Sequence, residues 1–277
     1  MFDFIRGRFS HQFSSFRRRW CQQQTLPFTD VLSAERVESL LVAEGVSFRH
    51  SMFTPLVTLW TFLGQVFHPD HSCREAVARL VAFLAGQGQR TCAAGTGAYC
   101  DARQRLPERL LARLVRDSGQ QLHERVTAKS LQIAGRAVVV VDGTTVSMPD
   151  TVANQKEYPQ ARTQKPGLGF PIARLVTLFS LASGAVIDMA VGKYRGKGTS
   201  ELALFRELLG RLPANTVMLG DRHFCSYWNL AQLIDRDVHS VFRLHKRRPV
   251  DFRSARRLGP DDHLVVWRRP ARPDWMT

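Results

Sequence analysis

From Ala137 onward the chain changes its hydrophobic period, and that change limits the folds open to it more than any other feature. Short runs rich in Val, Ile and Leu recur as "AVVVV", "IARLVTLFSLA", "AVIDMAV", "TVMLG" and "VHSVFRL". Each is bounded by Gly, Pro, Ser or Asn, which is the pattern of strands. Between the third and fourth lies the helix-like "TSELALFRELLGRL", and between the fourth and fifth lies "SYWNLAQLIDRD", with Ser226 placed to cap a helix. The order strand, strand, strand, helix, strand, helix, strand predicts an α/β domain with a mixed sheet and helices on its faces.

Residues 30–130 obey a different rule. "TDVLSAERVESLLVAEGV" predicts an amphipathic helix capped by Ser33 and ended near Gly45. "FTPLVTLWTFLGQVF" offers Thr54 as N-cap and Pro55 at the first helical position. Ser72 to Ala85 has apolar residues at helical spacing, and after the break "GQGQRT" the segment "TGAYCDARQRLPERLLARLVRDSGQQLHERV" is again helical. Trp60, Phe62 and Phe67 fall within a helical apolar run and are expected in a core rather than as platforms for bases. The expected organisation is therefore a basic arm (1–28), a helical region (29–132), an α/β core (133–248) and a further segment (249–277).

With 277 residues, 44% of them apolar, the chain has enough material for one large core or two ordinary ones. No run of about 18 uncharged apolar residues occurs, and the Arg-punctuated start "MFDFIRGRFSHQFSSFRRRW" lacks the apolar stretch of a secretory signal. A cytoplasmic protein with no membrane partner is expected. The five cysteines (Cys21, Cys73, Cys92, Cys100, Cys225) are odd in number and form no C-x-x-C pair, so reduced thiols are expected rather than disulfides or a zinc site.

The net charge is +15, from 39 Lys plus Arg against 24 Asp plus Glu. Such an excess suits a polyanion, because each phosphate neutralised releases a condensed counterion. The basic groups also gather at the two ends: Arg6, Arg8, Arg17, Arg18 and Arg19 in the first 28 residues, and a run including Lys246, Arg247 and Arg248 near the other end. Arg17, Arg18, Arg19, Lys246, Arg247 and Arg248 are accordingly candidate phosphate contacts on duplex DNA. So are Lys193, Arg195 and Lys197, which sit among glycines in "GKYRGKGTSE" directly after a strand. That stretch also reads as a solvated turn, and Lys156, Arg162 and Lys165 in "QKEYPQARTQKPG" stand on the same footing.

Two strands run into an acid. "AVVVVDGTTVSMPD" places Asp142 after five apolar residues, and "NTVMLGDRHF" repeats the grammar with Asp221. In open α/β sheets, sites form at the carboxyl ends of strands, so adjacent strands would bring these carboxylates together. Two neighbouring carboxylates repel unless a cation or proton lies between them, and oxygen ligands suit Mg²⁺. Either Asp alone reads as a turn or cap residue; the pair together with the charge points to phosphoryl transfer on DNA. Gly143 and Gly220 flank the acids, either as turn glycines or to let backbone or substrate approach. His223, two residues after Asp221, reads either as a loop histidine without a role or as a contact to substrate or a metal's water shell.

"VVVVDGTTVSMPDT" and "VMLGDRHFCSYWNLAQLIDRDVHSVFRL" resemble the first and second catalytic motifs of DDE transposases of bacterial insertion sequences. The closer likeness is to the cut-and-paste group whose third motif reads Tyr-x2-Arg-x3-Glu-x6-Lys. "TGAYCDARQRLP" is similar to that family's N-terminal helical region, and "GTSELALFRELLGRLP" to the helix before its second Asp. The resemblance implies a ribonuclease-H-like mixed sheet preceded by an all-helical DNA-binding region (29–132). It implies that Asp142 bridges two metal ions, Mg²⁺ or Mn²⁺, and that Asp221 ligates one. It implies duplex DNA as partner, both element ends and target, with a homodimer in the DNA complex and residence on the bacterial nucleoid.

The family's third acid has no counterpart. The last Glu is Glu207, and nothing after Asp221 matches Tyr-x2-Arg. Asp261 and Asp262 lie in the turn-like "LGPDDHL" and are poor substitutes. A two-metal site is thus incomplete, residues 249–277 resemble the beginning of the family's inserted β-rich segment, and the sequence is expected to be a truncated or split copy. One reading is a transposase that needs the missing acid; the other is a catalytically inactive DNA-binding product that competes with full-length transposase. A phosphatase of the haloacid-dehalogenase type fits less well, since its chemistry needs an acid two residues after the nucleophile, where Thr144 stands.

Overall fold

The computed structural model describes residues 32–48, 51–127, 132–165, 167–196, 198–245, 248 and 250–276. The chain divides into two compact units, Met1–Ser118 and Gly119–Thr277. The first is helical: α1 (Ala34–Ala43), α2 (Pro55–Phe67), α3 (Cys73–Gly86), α4 (Gly97–Arg105) and the beginning of α5 (Glu108–Thr127). The expected Ser33 and Thr54 caps form, and Ser72 adds a third. Ser33 Oγ accepts from Arg36 N at 3.3 Å, Thr54 Oγ1 from Val57 N at 3.3 Å and Ser72 Oγ from Glu75 N at 3.1 Å, each satisfying an amide that helix geometry leaves unpaired.

Helical spacing decides what this unit buries. Val37, Leu40 and Leu41 lie on one face of α1 and cluster with Leu59, Leu110 and Leu114. A second cluster joins Phe53 to Ala76, Val77, Leu80 and Leu84 of α3 and to Tyr99 and Ala102 of α4. Tyr99 is fully buried and its hydroxyl donates to Gln65 Oε1 at 2.7 Å; burial pushes its ionisation up to about 12. Trp60, Phe62 and Phe67 are half-buried rather than core. The Arg103 guanidinium lies 4.9 Å from the Phe62 ring centroid, so this ring is the seat of a cation–π contact.

In the second unit a mixed sheet carries the long strands. They are β2 (Arg136–Ser147), β3 (Ile172–Ser180), β4 (Val186–Lys193), β5 (Thr216–Gly220) and β6 (Val238–Phe242), with the short β1 (Gln132–Ile133) paired to β2. The order is β4-β3-β2-β5-β6. β3 runs antiparallel to β2 and β4, whereas β5 is parallel to both β2 and β6. This arrangement, with one reversed strand beside the central one, is the mixed sheet that the strand pattern predicts and the ribonuclease-H-like order that the family resemblance implies.

Two helices fill the parallel connections: α7 (Glu201–Leu208) between β4 and β5, and α8 (Tyr227–Ile234) between β5 and β6; a further short helix, α6 (Val152–Glu157), lies in the β2–β3 connection. Ser200 and Ser226 cap α7 and α8, each at 3.2 Å. Leu204, Phe205 and Leu208 of α7 pack with Val139, Val141, Val176, Leu178 and Met218 of the sheet, and Phe205 meets Phe224 edge-on at 5.4 Å. On β4 the buried Asp188 is compensated by Arg211 Nη1 at 2.8 Å, as a charge leaving water requires.

One strand departs from expectation. β2 does not end at Asp142 but continues to Ser147, paired only with β3 from Val141 onward. Val138, Val139 and Val141 are buried, while residues 142–147 are exposed apart from the half-buried Gly143. The strand therefore leaves the core at Asp142 instead of stopping there. At the other end of the unit, β7 (Arg256–Arg257) and β8 (His263–Leu264) form a small antiparallel pair. Among the described residues no helix is long and apolar enough to cross a membrane. Cys73, Cys92, Cys100 and Cys225 carry free thiols, and Cys21 lies outside the described residues.

Candidate active site and nucleic-acid contacts

Strand register, set by the apolar runs, places the two acids. Val138, Val139 and Val140 of β2 pair in parallel with Val217, Met218 and Leu219 of β5, and two further steps along both strands lead to Asp142 and Asp221. Contact confirms the step between: a Cβ on Gly220 would come within 2.8 Å of Val141 Cγ1. Both aspartates are exposed. Each has one carboxylate oxygen held by a nearby amide, Asp142 Oδ1 by Gly143 N and Asp221 Oδ1 by His223 N, both at 2.8 Å.

Neither carboxylate pairs with Lys, Arg or His among the described residues, in a chain whose net charge is +15. Paired oxygen donors with free lone pairs and no cationic side chain suit a hard divalent cation. The donor set thus fits Mg²⁺ or Mn²⁺ as far as it goes. It goes only as far as two acids: among the described residues no group of three His, Cys, Asp or Glu converges as a metal site.

A third acid nonetheless lies close. Glu201, first residue of α7, packs on the sheet so that a Cβ on Gly143 would meet its Cδ at 2.6 Å. Its Oε2 lies 3.7 Å from His223 Nε2 and its Oε1 lies 4.0 Å from Arg174 Nε. Because Gly143 faces α7, alternation turns Asp142, one residue earlier, to the opposite face of β2. Glu201 braces the strand end from behind and does not complete the acid pair. Nothing in the sequence singles Glu201 out except its place as the first acid after the Ser200 cap, a position that helix polarity alone favours.

The two flanking glycines now separate. At Gly143 an added methyl meets the flexible end of Glu201, whereas at Gly220 it meets the Phe242 ring at 2.6 Å and Val141 at 2.8 Å. Gly143→Ala is expected to cost under about 1 kcal/mol and Gly220→Ala about 2–3 kcal/mol. Urea unfolding of both variants checks this, and equal costs would contradict the packing described.

The basic candidates fare unequally. Lys193, at the end of β4, is engaged by Glu157 at 3.1 Å. Arg195 is half-buried with Nη2 unpartnered, a guanidinium in need of an acceptor. Arg248 lies 5.2 Å over the Trp267 ring. Arg17, Arg18, Arg19, Lys197, Lys246 and Arg247 lie outside the described residues. Basic and aromatic contacts that the sequence does not announce form where Arg269 covers Trp228, Arg206 covers Trp275 and Tyr227 meets Trp267.

The sheet order and the paired aspartates at its central parallel strands define this chain as an α/β protein of the ribonuclease-H-like class. Residues 133–275 match the family described as the transposase DDE domain, and the chain belongs to that family. It is 26% identical over 243 residues to the transposase InsG for insertion sequence element IS4 of Escherichia coli K12, a match covering 85% of this chain and 52% of that protein. The chain thus spans about half the length of that curated relative. Weak likenesses extend to two solved structures. One is a piggyBac transposase synaptic complex with hairpin DNA, at TM-score 0.35 and 9% identity, covering 82% of this chain and 52% of that one. The other is a Mos1 transposase paired-end complex with the left transposon end, at TM-score 0.25 and 14% identity, covering 76% and 58%. Scores at that level carry no argument about function.

Proposed function

We propose that the chain serves DNA transposition, gripping the ends of an insertion sequence through its basic surface and presenting Asp142 and Asp221 to the phosphodiester that is cut and joined. The observation that carries this reading is the acid pair: two exposed carboxylates on adjacent parallel strands, without a cationic partner among the described residues, in a strongly basic chain of the DDE family. Asp142 and Asp221 would hold Mg²⁺ or Mn²⁺. Bound there, a divalent cation supplies charge neutralisation at the transferred phosphoryl group and a more acidic water or 3′-hydroxyl. Asp221 is held at a fixed angle by the amide of His223, and Glu201 fixes that turn from the other side. Lys193, Arg195 and Arg248 belong to the DNA-contacting surface in this reading, together with Arg17, Arg18, Arg19, Lys197, Lys246 and Arg247. A homodimer on paired ends is part of the same proposal.

A second reading has its own support. Glu201 faces away from Asp142, so among the described residues two acids meet rather than three. The chain then binds DNA without cutting and competes with longer transposase. One experiment serves both readings: mobility shift and nicking of labelled element-end DNA with Mg²⁺ or Mn²⁺, using the chain and its Asp142→Ala and Asp221→Ala variants. Binding should weaken at least about a hundredfold between 50 and 200 mM salt. Nicking abolished by either substitution establishes the enzyme. Binding by all three without nicking establishes the competitor, and no binding at low salt ends both.

A further inference from the structure

Past Asp142, β2 leaves β5 and continues as an arm beside β3, paired from Gly143↔Val176 to Ser147↔Ile172 and closed by Met148 N on Pro171 O at 2.9 Å, while β4 backs β3 as far as Ala173↔Lys193. Its loop, described over residues 148–165 and 167–171, has a defined shape although much of it faces solvent. Two glutamine side chains hold it. Gln160 Nε2 donates to Lys165 O at 2.8 Å and Gln164 O at 3.2 Å, while its Oε1 accepts from Gly167 N at 3.1 Å and Gly169 N at 3.2 Å. Gln155 Nε2 donates to Gly169 O at 2.9 Å and Asp150 Oδ1 at 2.8 Å. Gly169 is buried under this network, with room for no Cβ: one would lie 2.1 Å from Gln164 Oε1.

The network satisfies the loop's backbone from within and leaves its apolar side chains outside. Val152 is 89% exposed, Leu168 74% and Phe170 60%. Lys156, Arg162 and Lys165 stand exposed around them, and none forms an ion pair among the described residues, whereas Glu157 of the same loop is taken by Lys193. Apolar side chains displayed on a rigid loop and ringed by unpaired cations match a groove of duplex DNA between its phosphate rows. Five residues of strand separate Asp142 from the arm's end; at about 3.4 Å each they span about 17 Å, half of a duplex turn of about 34 Å.

We propose that the arm is a DNA-contacting element. Leu168 and Phe170 enter a groove within half a turn of the phosphate at the acid pair, and Lys156, Arg162 and Lys165 take the flanking phosphates. This rests on the DNA reading given above and names a contact surface for it.

The test uses the full 277-residue chain and a labelled 30-base-pair duplex, with affinity measured across a salt series. The variants are the triple Lys156→Gln, Arg162→Gln, Lys165→Gln and the double Leu168→Ala, Phe170→Ala, all at exposed positions, and Gln160→Ala, which removes the network. The triple should lower the slope of log affinity against log salt by about three. The double should weaken binding about tenfold with the slope unchanged, and Gln160→Ala should weaken it while the melting temperature of the chain stays within a few degrees. Variants that match the unaltered chain in affinity and slope overturn the arm's role and leave DNA binding standing. No binding by the unaltered chain overturns both readings. A change in sedimentation of the double variant without loss of DNA affinity overturns the proposal in favour of a contact between two copies of the chain.

Discussion

Replacing Gly119 by Ala should lower the melting temperature of the α/β unit by about 6–12 °C, the thermal equivalent of about 3 kcal/mol in a unit of this size. Helix propensity alone predicts the opposite, a gain of about 1 kcal/mol for Gly→Ala inside α5. Packing reverses the sign: a Cβ at Gly119 would sit 1.7 Å from the Val186 carbonyl oxygen and 3.0 Å from Ile187 Cα. Those are backbone atoms at the start of β4, and they cannot turn aside as a side chain can, so helix and strand must separate. Gly210→Ala is the control, since nothing lies within 4 Å of its Cβ position, and it should stay within about 0.5 kcal/mol. Thermal melting of the two variants decides the matter, and a Gly119→Ala chain as stable as the original contradicts the contact.

The second large effect concerns the acids. Asp142→Ala and Asp221→Ala should each reduce Mn²⁺ affinity at least about tenfold, because a lone exposed carboxylate cannot retain a cation against its hydration. Neither substitution should cost stability in a chelator, since both side chains are exposed and removing one relieves repulsion between like charges. Glu201→Ala should have the smaller metal effect, as it lies behind the strand and acts through His223. Titration of Mn²⁺ against each variant, read by its paramagnetic signal, checks the order. Equal affinity in all of them means that the cation, if bound, is held elsewhere.

Much of this was legible in residue order. The five strands after Ala137, both inter-strand helices and the Ser33, Thr54 and Ser226 caps are local signals, and local physics decides them. Asp142 and Asp221 stood out because a charge at the end of an apolar run is costly unless it has work to do. The second half of β2 escaped notice for the same reason in reverse. "DGTTVS" shows no apolar run, because beyond Val141 the strand pairs on one side only and meets solvent. The role of Glu201 depends on Gly143, 58 positions away (201 − 143), and no periodicity links them. Trp228, Trp267 and Trp275 acquire their guanidinium partners from distant segments, so their chemistry exists only once the chain has folded.

The uneven pairing of β2 has a kinetic consequence. Residues 137–140 have partners on both sides, β1, β3 or its turn on one and β5 on the other, while 143–147 are held by β3 alone. Amide protons of the inner half should exchange with solvent only when the whole unit opens, and those of the outer half through brief local separations at much lower free energy. A single continuous strand thereby contains two regimes of motion that meet at Asp142. The outer run of β2 can part from β3, which β4 holds in place through Ala173↔Lys193, while the aspartate, anchored to the slow half, keeps its position.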